Sequence, residues 1–97
     1  MKTENNPLEF DWDKGNIGKN KKHRVEDTES EEPFFDVNKV TLKDVLHSEE
    51  EERFILLGKT KKERLLFVAF AMRKHKIRII SARDINRKER GLYEKIT

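Results

Sequence analysis

Apolar residues are concentrated in the second half of the chain, where they form runs of strand length. Residues 65–72 are apolar, residues 77–80 are β-branched except for Arg78, and the basic residues 73–76 separate the two runs. A third apolar stretch lies within residues 53–59, followed by a turn at residues 60–63. Such runs between turn residues predict antiparallel strands, whereas the helical spacing of residues 86–96 predicts an α-helix.

The first half of the chain carries weaker signals. Residues 8–12 alternate and predict a short edge strand, and Asp13 is a suitable N-cap for a helix over residues 14–23. Residues 25–35 predict a short helix that Pro33 ends, after which Phe34 and Phe35 pack into the core. Residues 37–45 predict a weak strand or a loop, and residues 47–52 an exposed turn.

The predicted order of elements, β-α-α-β-β-β-β-α, indicates a small α+β domain with helices on one side of a twisted antiparallel sheet. A chain of 97 residues has room for one such domain. We expect residues 1–7 to be a mobile N-terminal segment and residues 8–97 to be the single domain. The only tryptophan, Trp12, is predicted to anchor the core.

Charge is distributed unevenly along the chain. Residues 1–52 contain eight Lys/Arg and fifteen Asp/Glu, whereas residues 53–97 contain fourteen Lys/Arg and four Asp/Glu. The two halves could attract each other within the fold, or the basic half could present a surface to nucleic acid. Charge alone leaves both interpretations open.

Several classes of protein are disfavoured by what the sequence lacks. There is no cysteine, and the three histidines do not have zinc-ligand spacing, so we expect no disulfide and no metal site. No glycine-rich phosphate loop precedes a helix, so we expect no nucleotide cofactor. The N-terminus lacks the apolar region of a signal peptide, and the longest apolar run has eight residues, too short for a membrane span.

The arginines are the strongest chemical signal, because guanidinium groups remain charged and bind phosphate through two hydrogen bonds. Arg78 lies on the last predicted strand and Arg83 at its junction with the final helix. The spacing of Arg83, Arg87 and Arg90 predicts that they share one helical face. Glu89 has two interpretations, since it stands at capping-box spacing from Asn86 and could also transfer a proton.

Three groups of residues match a known family in their order and nearly in their spacing, from Phe10 to Tyr93. The first is FDWD (10–13), Asn16, Asn20, KH (22–23) and Val25. The second is HS (47–48), EER (51–53) and GK (58–59). The third is RLL (64–66), RIISAR (78–83), ER (89–90) and Tyr93. On these residues the chain resembles the BrnT family of ribonuclease toxins from bacterial type II toxin–antitoxin pairs.

The resemblance implies a RelE-like fold, a cytoplasmic location and RNA cleavage without metal, in which a ribose 2′-hydroxyl attacks the adjacent phosphorus. It also implies a cognate ribbon-helix-helix antitoxin, a heterotetramer with that antitoxin, and contact with operator DNA only through it. We expect catalysis by Arg78 and Arg83, then Arg53, with Glu51, His23 and Glu89 as proton-transfer candidates. Further RNA contacts are expected from Lys59, Arg73, Arg87 and Arg90.

Two other functions are compatible with the sequence. The basic half could grip nucleic-acid phosphates without cutting the chain. Alternatively, the acidic and basic regions could each bind a protein partner. Neither charge nor the few aromatic residues separate binding from cleavage.

Overall fold

A computed structural model describes residues 8–96, so the expectation for residues 1–7 lies outside the described part of the chain. Four strands and two α-helices form the domain: α1 (Asp27–Glu31), β1 (Val40–Lys43), β2 (Arg53–Lys59), β3 (Leu65–Arg73), β4 (Lys76–Asp84) and α2 (Arg87–Ile96). Three 3-10 segments join them: Lys19–His23, Glu32–Phe35 and Val45–His47. Over residues 8–96, no helix combines the length and the apolar character needed to cross a lipid bilayer.

The strands form one antiparallel sheet in the order β1-β2-β3-β4, so β2 and β3 are central and β4 is an edge strand. Lys74 and His75, between β3 and β4, both have positive φ, the conformation that closes a tight hairpin. The β3–β4 register shifts between Ala69 and Phe70, and Ile80 is the extra residue on β4. The three predicted strands over residues 53–80 are confirmed, although β4 extends beyond Ile80 to Asp84.

Each face of the sheet carries its own apolar core. On one face, here called the α1 face, Val25 and Phe34 pack against Leu56, Leu66, Val68, Phe70 and Ile79. On the opposite face, the α2 face, Tyr93 packs against Val40, Leu57 and Leu65. The α+β class is confirmed, but the expectation of helices on one side is wrong, because the strands alternate buried apolar residues on both faces.

The outer edge of β4 is covered by the N-terminal segment instead of by a strand. Backbone and asparagine side-chain groups of this segment hydrogen-bond β4 at four points: Glu9 O, Asp11 N, Asn16 Nδ2 and Asn20 Oδ1. A single bridge between Phe10 and Ile77 replaces the strand expected over residues 8–12. Covering an edge in this way satisfies its free backbone groups and blocks pairing with other chains.

Two further expectations for the first half are corrected. Residues 14–23 form turns followed by the 3-10 segment Lys19–His23, because Gly18 adopts a left-handed conformation with φ of 69°. Phe34 is buried as expected, but Phe35 is 64% exposed and does not enter the core. Trp12 packs partly buried against the α1-face core, and its Nε1 donates to Glu31 at 2.6 Å.

Candidate active site

Three arginines converge at the end of the sheet beside the β3–β4 turn. The register places Arg53, Ala71 and Arg78 opposite one another on the α2 face. Arg73 follows Ala71 by two residues on β3, so alternation directs it to the same face. Ala71 is fully buried between its arginine neighbours. We call Arg53, Arg73 and Arg78 the arginine cluster.

Glu51 occupies the space between two members of this cluster. Its carboxylate oxygens lie 3.4 Å from Arg73 Nε and 3.9 Å from Arg53 Nη2. Arg53 Nε is buried and has no hydrogen-bond partner among the described residues. The structure therefore shows an anionic group held between two guanidinium groups, one of which retains an unused donor. That arrangement suits a phosphate as well as a carboxylate.

Arg78 is the most enclosed member of the cluster, with a side chain that is 11% exposed. Its Nη2 donates to Asp13 Oδ1 at 2.8 Å, and Nη1 lies 3.7 Å from Asp11 Oδ2. The hydrogen bond to Asp13 raises the pKa of Arg78, and the same bond holds the pKa of Asp13 below its usual value. A Cβ at Gly15 would lie 2.5 Å from Arg78 Nη2, so glycine permits this approach. Arg78 thus ties the N-terminal segment to β4.

The sequence-based search missed an imidazole–carboxylate pair beside the cluster. His47 Nδ1 lies 2.9 Å from Asp44 Oδ2 and 3.1 Å from its Oδ1. The His47 side chain is 64% exposed, whereas that of Asp44 is only 15% exposed. The largely buried carboxylate therefore orients an imidazole ring that is accessible from solvent. Two sequence signals could have found this pair: the Asp-x-x-His spacing, and the HS (47–48) match to the family.

The segment that carries this pair is fixed to the start of β2. Asp44 N donates to Arg53 O at 2.8 Å, and Arg53 N donates to Ser48 Oγ at 3.0 Å. Together with Glu51 and Arg73, His47 and Arg53 line a cavity of about 440 Å³, and Leu46, Glu49 and Glu50 complete its lining. An open cavity with two guanidinium groups and an imidazole can bind an anion and transfer a proton.

Arg83 and Glu89 form a separate ion pair where β4 meets α2. Arg83 Nη1 and Nη2 donate to the two oxygens of Glu89 at 2.9 and 2.8 Å, and the guanidinium lies 3.9 Å from the centre of the Phe67 ring. Glu89 also makes the capping box with Asn86, at 3.0 and 2.8 Å. Although burial opposes the shift, hydrogen bonds from Arg83 and Asn86 lower the pKa of Glu89.

The helical face proposed for Arg83, Arg87 and Arg90 is not formed, because Arg83 belongs to β4 and only the other two belong to α2. The extra residue Ile80 shifts the alternation of side chains along β4 by one position. Arg83 therefore lies on the same face of the sheet as Arg78. Arg90 lies 3.9 Å from Glu94 on the exposed side of α2.

His23 and Lys59 are not brought into the cluster. Lys59 ends β2, six residues from Arg53, which corresponds to roughly 20 Å of strand. The carbonyl of His23 accepts a hydrogen bond from Arg64 Nη2 at 3.3 Å, and Arg64 precedes β3 at this same distant end. Among residues 8–96, no three histidine, aspartate or glutamate side chains stand close enough together to hold a metal ion.

Comparison with known proteins gives one family. The model of the ribonuclease toxin BrnT of type II toxin–antitoxin systems matches residues 12–89, a span that includes the arginine cluster and the Arg83–Glu89 pair. No curated protein matches the chain significantly. Because the matched span is most of the chain, this protein belongs to the BrnT family of ribonuclease toxins.

Proposed function

We propose that the protein is an endoribonuclease whose active site is the arginine cluster together with His47 and Asp44. The observation that carries the proposal is the meeting of paired cations and an oriented imidazole in one open cavity. A nucleic-acid-binding module would need the cations but has no use for the imidazole–carboxylate pair.

Substrate binding begins with exchange at Glu51. A phosphate of the RNA displaces the Glu51 carboxylate and takes its place between Arg53 and Arg73. Both arginines are paired through their backbones in the sheet, and their guanidinium groups can bind a phosphate without breaking that pairing. Charge held in place before the reaction stabilises a phosphorane better than mobile solvent does.

Proton transfer is assigned to His47. Its Nδ1 faces Asp44, which selects the tautomer that carries hydrogen on Nδ1 and leaves Nε2 as an acceptor. Nε2 removes the proton from the ribose 2′-hydroxyl, and the resulting oxygen attacks phosphorus. The bond from phosphorus to the 5′-oxygen breaks, solvent protonates that oxygen, and the products carry a 2′,3′-cyclic phosphate and a 5′-hydroxyl. The guanidinium groups supply the positive charge, so the scheme requires no metal ion.

The other expected residues receive different roles. Arg78 positions the N-terminal segment and adds positive potential, while Arg83, Arg87 and Arg90 extend a basic surface for RNA. Glu89 orients Arg83. The locations of His23 and Lys59 support contact with distant parts of the RNA, not with the reacting phosphate.

The wider biological assignment belongs to the same proposal. A four-stranded antiparallel sheet with helices on both faces supports a RelE-like classification. A toxin of this type requires a neutralising antitoxin, for which we propose a ribbon-helix-helix protein that binds operator DNA and pairs with the toxin as a heterotetramer. Because its substrate is cellular RNA, we place the toxin in the cytoplasm.

The test compares Arg53→Ala and Arg73→Ala with Arg24→Ala, an exposed arginine whose backbone contacts Arg64 at the distant end of the sheet. Loss of one preorganised charge donor should lower single-turnover cleavage by about 10²–10³ at saturating RNA. Arg24→Ala should cleave at the wild-type rate. If all variants cleave equally once RNA is saturating, the cluster only binds RNA, and the non-catalytic function is supported instead.

A further inference from the structure

A small apolar groove lies on the α2 face, between β1 and β2 on one side and α2 on the other. Its volume is about 240 Å³, and Leu42, Ile55, Leu57, Phe67, Lys88 and Leu92 line it. An apolar cavity of about 150 Å³ is already large enough for benzene. The groove therefore has room for an aliphatic or aromatic side chain from a partner.

The rim of the groove exposes apolar side chains to solvent. Leu42 on β1 is 41% exposed and Leu92 on α2 is 43% exposed, and they stand on opposite sides of the cavity. Single exposed leucines are ordinary, but two that border a shared apolar cavity are typical of a docking surface.

Two charged residues of α2, Lys88 and Glu89, also line the groove. Glu89 is already paired with Arg83, so Lys88 is the lining charge that a partner meets. A partner that places an apolar side chain in the groove could pair an acidic residue with Lys88. Charge complementarity therefore favours an acidic partner segment over a basic one.

The groove also has a defined relation to the proposed active site. Ile55 lines the groove, and Arg53 lies two residues before it on the same strand and the same face. A partner segment seated in the groove and continuing along the face would cover the approach to the arginine cluster. Such a position would neutralise cleavage by blocking RNA.

We infer that this groove is the docking site for the cognate antitoxin, which inserts an apolar side chain from an acidic amphipathic segment. The inference rests on the proposed function for the existence of that partner, because the family is one of toxin–antitoxin systems. The interaction follows the helix-in-groove mode, in which one apolar side of a segment is buried and its charged side meets the rim.

The experiment titrates the purified full-length antitoxin, identified by co-purification with the wild-type toxin, into Leu92→Glu and Lys88→Glu variants. Val37→Glu is the matched control, because Val37 is 92% exposed and lies in the loop before β1. Loss of a central apolar anchor should weaken binding about 30-fold for Leu92→Glu. Reversal of a rim charge should weaken it about fivefold for Lys88→Glu, and Val37→Glu should bind like the wild type.

Cleavage assays on the same variants separate this inference from the proposed function. Leu92→Glu should still cut RNA, but the antitoxin should no longer suppress it. If no variant cleaves RNA and the affinity losses still appear, docking stands and the proposed nuclease function fails. Wild-type affinity in both groove variants would overturn the inference. So would a toxin homodimer that Leu92→Glu dissociates while antitoxin affinity is unchanged, because the groove would then belong to a second copy.

Discussion

Replacement of His47 by glutamine should abolish most RNA cleavage while leaving the fold intact. The His47 side chain is 64% exposed, and its only side-chain bonds among the described residues are to Asp44, so no core contact is lost. We expect the free energy of unfolding to change by less than about 0.5 kcal/mol. Loss of a general base should lower the rate constant for cleavage by about 10²–10⁴.

Asp44→Asn tests the same proton transfer by changing the carboxylate that orients His47. The substitution keeps the size of the side chain and preserves the backbone bond from Asp44 N to Arg53 O at 2.8 Å. An amide can present its NH₂ group to Nδ1 and select the wrong tautomer of His47. The rate constant for cleavage should fall by between about tenfold and 10⁴-fold. The larger value is typical of an amide that replaces the carboxylate behind a catalytic imidazole.

The assay is single-turnover cleavage of end-labelled RNA at saturating protein. Wild-type protein should cleave the RNA, and His47→Gln should cleave it about 10²–10⁴ times more slowly. His75→Gln is the matched control, since His75 is an exposed histidine in the β3–β4 turn. A wild-type rate constant for cleavage in His47→Gln would refute the assignment of His47.

Three further predictions concern the scaffold. Tyr93→Phe removes a 2.6 Å hydrogen bond to Asp36 and should cost about 1.5–3 kcal/mol at pH 8. Burial and this bond raise the pKa of Tyr93 from 10.0 to about 12, so the stabilisation is complete below pH 10 and is lost as pH rises towards 12. The difference between wild type and variant in urea unfolding should therefore shrink between pH 8 and pH 11.5, and a constant difference would contradict the linkage. In Gly58→Ala, the new Cβ would lie 2.8 Å from Pro33, so thermal unfolding should show a loss of about 1–3 kcal/mol. Leu66→Asp places an unpaired carboxylate at a fully buried position, and circular dichroism should show no cooperative unfolding transition.

The central strands could be predicted because their apolar runs are local and long enough to exclude other structures. The β3–β4 hairpin follows directly from residues 65–80, and the Asn86–Glu89 capping box marks the start of α2. Local patterns cannot show which partner a polar residue finds across the fold. Asn20 binds the backbone of Ala82, 62 residues away, and this contact sets the course of the N-terminal segment.

The candidate site was predicted in part for similar reasons. Strict alternation would put Arg78 and Arg83 on opposite faces, and only the Ile80 bulge brings them to one face. Arg53 and Arg73 are distant in sequence, and the β2–β3 register is what aligns them. The role of Glu51 as their shared partner, and the pairing of His47 with Asp44, depend on how residues 44–53 fold back on β2.

Cleavage of RNA in EDTA, followed by chemical analysis of the new ends, tests the central claim most directly. Purified protein should cut single-stranded RNA without added metal, and each cut should leave a 2′,3′-cyclic phosphate and a 5′-hydroxyl. The Arg53→Ala and His47→Gln variants should leave the RNA intact under identical conditions. RNA that stays intact with the wild-type protein, or cuts that leave a 3′-hydroxyl and a 5′-phosphate, would contradict attack by the 2′-hydroxyl at this site.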